Sequence, residues 1–125
     1  MNNILNHKEI EQKITRLGHQ VLENCFEEPV IYIGGICGNG LKLAKQLKAI
    51  MASNSDQEIH VFEITVNKDE PWSEPITLSI DEKLLKNAYI ILVDDVLNSG
   101  KTMQYALMKF LERATKSIKT VALVD

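Results

Sequence analysis

The chain has 125 residues, of which 45% are hydrophobic and 25% are charged, and its formal net charge is −3. This size and composition fit one globular domain that can bury a hydrophobic core. The negative net charge excludes general attraction to nucleic acid, so a contact with RNA or DNA would require a local basic patch. No apolar run has the length of a membrane span, the N-terminus lacks a signal-peptide core, and two cysteines form no disulfide framework. We therefore expect a cytoplasmic protein with no membrane partner.

Hydrophobic periodicity predicts the first elements of the chain. An amphipathic helix is predicted over 6–26, because apolar residues recur every three or four positions: Ile10, Ile14, Leu17, Val21 and Cys25. After Pro29, the β-branched run VIYIGG predicts a buried strand. The glycine-rich stretch GICGNG then precedes a predicted helix, LKLAKQLKAIMA, and EIHVFEITV predicts a second strand over Glu58–Val66.

The second half of the chain begins with a segment that has no clean period. Residues 67–83 hold two of the three prolines and predict a loop or a mobile excursion. AYIILVDD predicts a third buried strand, and IKTVALVD predicts a fourth. Between them, a helix that follows SGKT is predicted to bury Met103, Ala106, Leu107, Phe110, Leu111 and Ala114.

Apolar strands that alternate with helices predict an α/β fold. We expect one domain over residues 1–125, with three layers and a central, mostly parallel sheet of four to five strands flanked by helices. The sequence stops at Asp125, at the tip of a predicted central strand, so we expect the native chain to continue. Ligands of such sheets bind at the carboxyl ends of the strands. The two glycine loops and the pair Asp94–Asp95 fall there, which predicts one shared site.

The stretch VDDVLNSGKT combines two acids with a hydroxyl-rich turn. Its ending is similar to a nucleoside triphosphate loop, but that loop requires glycine where this chain has Asp95. Backbone N–H groups at a helix N-terminus suit one phosphate, with Ser99 and Thr102 as donors and Gly100 permitting close approach. The carboxylates of Asp94 and Asp95 suit a ribose diol or water on Mg²⁺. The pattern favours a ribose 5-phosphate; the alternative is that the acids only end a strand and SGKT only starts a helix.

ILVDDVLNSGKT resembles the phosphoribosyl-diphosphate (PRPP) signature of type I phosphoribosyltransferases, in which two acids precede a short loop ending in Thr/Ser-Gly-x-Thr. Other segments resemble the pyrimidine-operon regulator/uracil phosphoribosyltransferase branch. ITRLGHQVLE resembles its first helix, and IYIGGICGNGLKLAKQL its diphosphate loop and following helix. FEITVNKDEP and TVALVD resemble later segments, so nearly the whole chain is covered. The resemblance implies the type I fold, here without its C-terminal hood.

The resemblance implies transfer of a phosphoribosyl group from PRPP to a nucleobase, with uracil or another pyrimidine favoured and diphosphate released. The implied cofactor is Mg²⁺, held through PRPP and water rather than directly by the protein. The implied partners are PRPP, a nucleobase or nucleoside monophosphate, and further copies of the chain in a homodimer or larger oligomer. The ribose hydroxyls are assigned to Asp94 and Asp95. The 5-phosphate is assigned to a loop of Val96, Leu97, Asn98, Ser99, Gly100, Lys101 and Thr102.

Three segments of the chain depart from the family pattern or bear on the substrate. The diphosphate loop would comprise Gly35, Ile36, Cys37, Gly38, Asn39 and Gly40. Cys37 and Asn39 stand where this branch usually has a lysine and an arginine, which predicts weaker stabilisation of the leaving group. Lys68 and Asp69 stand where the family has an arginine and an acid, and are further candidates for ligand contact. Asn98 replaces the aspartate of the 6-oxopurine branch and cannot act as an ionisable acid or base, which weighs against hypoxanthine or guanine.

The altered loop supports a second hypothesis. The protein could be a non-catalytic regulator that senses PRPP or a nucleotide and binds RNA. The lysines of LKLAKQLK would supply the basic patch, although a solvated helix face is the better explanation of them.

Overall fold

A computed structural model gives the architecture and describes residues 7–36, 38–66, 75–95, 106 and 117–123. In this part of the chain, two α-helices, five strands and a short 3₁₀ helix follow one another. Their bounds are α1 His7–Cys25, β1 Val30–Ile36, α2 Asn39–Ser53, β2 Glu58–Thr65, β3 Thr77–Leu78, the 3₁₀ helix Glu82–Leu85, β4 Tyr89–Asp95 and β5 Ser117–Leu123.

The five strands form one sheet in the order β3-β2-β1-β4-β5. β2, β1, β4 and β5 run parallel, and β3 pairs antiparallel with the end of β2, Ile64 opposite Leu78. Parallel neighbours need a crossover connection, which α2 provides between β1 and β2. The predicted α/β class with a mostly parallel sheet of four to five strands is confirmed.

Both faces of the sheet are covered, which makes three layers. α1 and α2 pack on one face, where Leu47 and Met51 of α2 meet Ile31 and Ile33 of β1 in one buried cluster. A second cluster on the opposite face gathers Ile36, Phe62, Ile64, Val66, Leu85, Ile90, Leu92 and Ala106. Burial on both faces explains why the strands read as nearly continuous apolar runs.

Ala106 is the one described residue of the helix predicted after SGKT. It is helical and fully buried in the second cluster, as the apolar pattern predicts. The other five residues predicted for that apolar face lie outside the described residues.

Two sequence predictions of local structure are wrong. The loop predicted over 67–83 contains β3 and the start of the 3₁₀ helix, because the free edge of β2 offers hydrogen bonds to a strand too short to show a period. The predicted glycine loop 35–40 is also shorter than expected. Gly35 and Ile36 belong to β1, and Asn39 and Gly40 already belong to α2, because packing against β4 overrides the low helix propensity of glycine.

Within the described residues, no helix combines the length and the apolar character needed to cross a bilayer.

Candidate functional site

The strand order creates a crevice between β1 and β4. From β1 the chain passes through α2 to β2 on one side, whereas β4 pairs on the other side of β1. Connections that leave two adjacent strands in opposite directions open a crevice at the carboxyl ends of those strands, where ligands of α/β proteins bind. β1 ends at Gly35–Ile36 and β4 ends at Asp94–Asp95, with Gly35 opposite Val93. The acids and the glycine loop therefore lie together at the carboxyl ends of the parallel strands.

Gly40 brings α2 into direct contact with the end of β4. A Cβ on this residue would lie 2.7 Å from the carbonyl oxygen of Val93 and 3.2 Å from both Cα and Oδ1 of Asp94. Real Cβ atoms essentially never approach a backbone oxygen so closely, so only glycine permits this packing. The first turn of α2 consequently rests on the acidic end of β4.

Gly35 makes the corresponding contact between β1 and α2. Its Cβ would lie 2.5 Å from Cα of Leu41 and 2.7 Å from the carbonyl oxygen of Gly40. The end of β1, the start of α2 and the end of β4 thus touch one another through two glycines.

The N-terminus of α2 is exposed and carries no cap from its own residues. Gly38, at the N-cap position, has φ 89° and ψ −127°, a conformation that favours glycine, and no side chain caps the helix there. Gly38 and Asn39 are exposed at the start of α2, whereas Gly40 is buried against β4. Helix N-termini attract anions through these groups and through the macrodipole. The nearest following cation, Lys42, is exposed on α2.

Asp94 is fully buried, and it is the one buried charged residue among those whose side chains the structure describes. An ionised carboxylate in the protein interior requires compensating donors or positive charge. The positive end of the α2 dipole lies beside it, as the Gly40 contact shows. Its burial follows from the sequence, because the run Ile90–Val93 marks a strand that is covered on both faces.

The other predicted site residues lie largely outside the part of the chain that the structure describes. Asp95 ends β4 and pairs with Leu123 in the ladder. Cys37, Lys68, Asp69 and the whole predicted 5-phosphate loop, Val96 to Thr102, lie outside the described residues. Their roles stay predictions.

His60 and Glu58 lie near the start of β2, away from the crevice. His60 Nε2 lies 2.6 Å from Oε2 of Glu58, and its ring stacks on Tyr32. In the described ranges, no group of three or more His, Cys, Asp or Glu side chains could hold a metal ion.

A second group of residues is packed at the opposite end of the sheet, next to the amino ends of β1, β2 and β4. Burial, and secondarily the carboxylate of Glu28, raises the pKa of the Cys25 thiol. Burial, and then Cys25 and Glu28, raises the pKa of Tyr89. Gln57 Nε2 donates to the carbonyl oxygens of Cys25 at 2.6 Å and Glu28 at 2.7 Å. Periodicity could not reveal this amide, because its two partners lie far from it in sequence.

Comparison with known sequences identifies the family. The whole chain, residues 1–125, matches the family described as phosphoribosyl transferase domain. The bifunctional protein PyrR of Clostridium novyi is 30% identical over 129 residues, which cover 98% of this chain and 72% of the relative. The bifunctional protein PyrR of Actinobacillus pleuropneumoniae serotype 5b is 28% identical over 130 residues, with the same coverage.

Solved structures show the same fold. A hypoxanthine-guanine phosphoribosyltransferase from Bacillus anthracis superposes with a TM-score of 0.75 at 16% identity, covering 98% of this chain and 70% of that one. The enzyme of the same name from L. donovani gives a TM-score of 0.77 at 17% identity, covering 99% and 72%. Identities this low establish the fold alone. Together with the full-length family match, they lead to one conclusion: the chain belongs to the phosphoribosyl transferase domain family, with the type I fold and a sequence similar to the PyrR branch.

Proposed function

We propose that the protein binds PRPP across the crevice between β1 and β4 and transfers its phosphoribosyl group to a nucleobase, releasing diphosphate. The contact of Gly40 with Val93 and Asp94 carries this proposal, because it joins the predicted diphosphate loop to the predicted sugar motif at one edge of the sheet. Membership of the phosphoribosyl transferase family supports the transferase chemistry.

The sugar and its 5-phosphate are assigned to the end of β4 and the residues that follow. Asp95 accepts hydrogen bonds from the ribose hydroxyls, and the loop Val96–Thr102 encloses the phosphate, chiefly through backbone N–H groups. The sequence hypothesis gave Asp94 the same task as Asp95. Because Asp94 is fully buried, the direct contact with the sugar falls to Asp95 in this proposal.

The diphosphate is assigned to the loop between β1 and α2. The exposed N-terminus of α2 offers N–H groups and the positive end of its dipole to the leaving group. Mg²⁺ would be held by the diphosphate and by water, for which carboxylates supply hard oxygen acceptors, and it would offset the negative charge that develops on departure. A pyrimidine, first of all uracil, is proposed as the base, since Asn98 lacks the ionisable group of the 6-oxopurine branch.

A regulator that binds PRPP or a nucleotide without turnover is the second candidate. It is favoured by the absence of lysine and arginine from positions 35–41, with Lys42 exposed one turn into α2. Backbone N–H groups alone would then face the departing diphosphate. The exposed Lys42, Lys45 and Lys48 on α2 are the basic surface for an RNA partner in this proposal. A homodimer or larger homo-oligomer is proposed for either function.

Turnover separates the two candidates. The protein is incubated with PRPP, Mg²⁺ and a panel of nucleobases, and diphosphate release is measured together with calorimetric binding of PRPP and nucleotides. Release with uracil is expected for the transferase. Binding without release on any base would establish the regulator instead, and absence of both would contradict the site.

Asp95→Asn tests the sugar contact. Loss of charge-assisted hydrogen bonds to the ribose is expected to weaken PRPP binding by about tenfold or more, with the fold and the melting temperature retained. Glu58→Gln is the matched control, because Glu58 is exposed and is the first residue of β2, at the end of the sheet opposite the proposed site. Unchanged PRPP affinity in Asp95→Asn would show that the assignment is wrong.

A further inference from the structure

Two large hydrophobic side chains are exposed among those that the structure describes, and both lie at the same end of the sheet. Phe26 is 71% exposed and precedes β1, and Leu84 is 53% exposed and precedes β4. β1 and β4 are parallel neighbours, so the segments that lead into them are also neighbours. Large exposed apolar side chains that gather in one place mark interaction sites.

The turn that carries Phe26 is held in one conformation. The N–H of Glu28 donates to the carbonyl oxygen of Cys25 at 3.0 Å. Phe26 and Glu27 are therefore the two central residues of a tight turn. The amide of Gln57 donates to the carbonyl oxygens at both ends of this turn, Cys25 at 2.6 Å and Glu28 at 2.7 Å. Because the backbone is already ordered, little conformational entropy is lost when the ring of Phe26 makes a contact.

A recess lies beside the turn, between the starts of β1 and β4. Its volume is about 290 Å³, which is enough for one aromatic side chain. The residues that line it include Pro29, Val30, Leu84 and Ala88, which are apolar, and the exposed Lys86. A recess of this composition suits an apolar side chain that is followed by a negative charge.

The tip of the turn has the chemistry that the recess suits. Phe26 supplies the ring, and the exposed Glu27 directly after it supplies the carboxylate. In its own chain the ring is in solvent, so the recess is open to the Phe26 of a second copy. Under two-fold symmetry, each copy would offer its turn to the recess of the other. Glu27 of one copy would then face Lys86 of its partner.

We propose that the amino ends of β1 and β4 form a symmetric contact between two copies of the chain, in which Phe26 of each copy enters the recess of the other. Burial of the two rings supplies the affinity, and the pairs of Glu27 with Lys86 fix the orientation. This surface belongs to the homo-oligomer proposed above and does not depend on transferase or regulator activity. It lies at the end of the sheet opposite the proposed PRPP site, so the contact leaves that site open.

Cross-linking between labelled copies tests the contact directly. The photoreactive residue benzoylphenylalanine replaces Phe26, and isotope-labelled and unlabelled copies are mixed before illumination. Mass spectrometry then separates products within one copy from products between two copies. The main product between copies is expected to join position 26 to the segment 84–89 of the partner. Absence of such products, or attachment to a different surface, would overturn the proposal.

Phe26→Ala tests the ring itself. The side chain is exposed, so the melting temperature should stay near that of wild type, whereas the dissociation constant of the symmetric contact should rise by about tenfold or more. Sedimentation equilibrium over a range of protein concentrations measures the constant. Unchanged self-association in Phe26→Ala would contradict the proposal. A wild-type protein that stays monomeric would also contradict it and would assign the surface to another partner or to a further part of the native chain.

Charge reversal separates loss of the contact from loss of the fold. Glu27→Lys and Lys86→Glu are each expected to weaken self-association by about tenfold, because like charges then meet across the contact. The double variant restores opposite charges and should return to within about threefold of wild type, as expected for a direct pair. Lys45→Glu is the matched control, because Lys45 is exposed on α2 and does not line the recess. Failure of the double variant to recover would argue against the pairing, and an equal loss in Lys45→Glu would show an effect of net charge alone.

Discussion

Gly34 in β1 shows how one missing side chain shapes the core. Its Cβ would lie 2.5 Å from Cζ and 2.8 Å from Cε2 of Phe62, and 2.9 Å from Cδ1 of Ile64. Both neighbours are essentially without solvent exposure and cannot move aside. The ring of Phe62 therefore occupies the space that a side chain at position 34 would need.

Gly34→Ala is expected to lower the free energy of unfolding by about 1–3 kcal/mol, the usual cost of overpacking a core. Urea unfolding measures the change. Gly18→Ala is the control, because its Cβ would meet only the side chain of Ile50, at 2.7 Å from Cγ2, and Ile50 is partly exposed. Since alanine also favours the helix, this variant should change stability much less. Equal losses in the two variants would contradict the packing argument.

At the residue scale, the sequence could identify the acidic pair, but it could not show the contact between Gly40 and Asp94. Two adjacent aspartates after an apolar run point to a site at the end of a strand, and the structure puts them there. The run also implies burial. The contact of Gly40 with Asp94 is different, because it joins residues far apart in sequence and depends on how α2 crosses the sheet.

At the scale of elements, Gln57 ties the end of α1 to the start of the sheet. Its amide group donates to the last carbonyl oxygen of α1, at Cys25, and to that of Glu28 before β1. Carbonyl groups at the C-terminus of a helix have no partner within the helix. The side chain of Gln57 thus reinforces the turn from α1 into β1, in which the N–H of Glu28 also donates to the carbonyl oxygen of Cys25 at 3.0 Å.

Gln57→Ala is expected to lower the free energy of unfolding by about 1–2 kcal/mol, because two partly buried carbonyl groups lose a donor. Ser55→Ala is the matched control. Ser55 lies just after α2, and its hydroxyl donates to the carbonyl oxygen of Met51 in that helix without bridging two further elements. Denaturant midpoints of the two variants give the comparison, and an equal midpoint for Gln57→Ala and wild type would argue against the turn as a stabilising feature.

Elements with a clear period were predictable, and the irregular ones were not. α1 was predicted over 6–26 and runs from His7 to Cys25, and β2 differs from its prediction by one residue at its end. β3 was not predicted, because a strand of two residues has no periodicity and forms only by pairing with the free edge of β2. The start of α2 was missed because glycine reads as a loop, whereas here it permits contact between helix and strand.

At the scale of the whole molecule, the two ends of the parallel strands have different roles. The proposed ligand site lies at their carboxyl ends. The opposite end buries Cys25 and Tyr89 beside Glu28, and burial raises the pKa of both groups. Both acids therefore keep their protons in the folded state at pH values where the unfolded chain begins to lose them.

This difference predicts a loss of stability at alkaline pH. Below the ordinary pKa values, 9.0 for cysteine and 10.0 for tyrosine, both states are protonated and the full stability is present. Above them the unfolded state ionises first, so the free energy of unfolding falls as pH rises, by about 1.4 kcal/mol for each unit of difference in pKa. Urea unfolding between about pH 7.5 and 10.5 should show a shallower fall in Cys25→Ala/Tyr89→Phe than in wild type. Parallel curves for the two proteins would contradict this account.

The strand order also determines when the site can exist. Gly35 and Gly40 leave the ribosome well before Asp94, and β1 acquires its neighbour β4 only after α2, β2 and β3 have been synthesised. Pairing of strands so distant in sequence is slow, because the intervening chain must first be closed into a loop. The crevice can thus form only after β4 has been made, and a ligand that bridges β1 and β4 would stabilise this long-range pairing. Availability of that ligand would then influence how much of the newly made protein reaches its folded state.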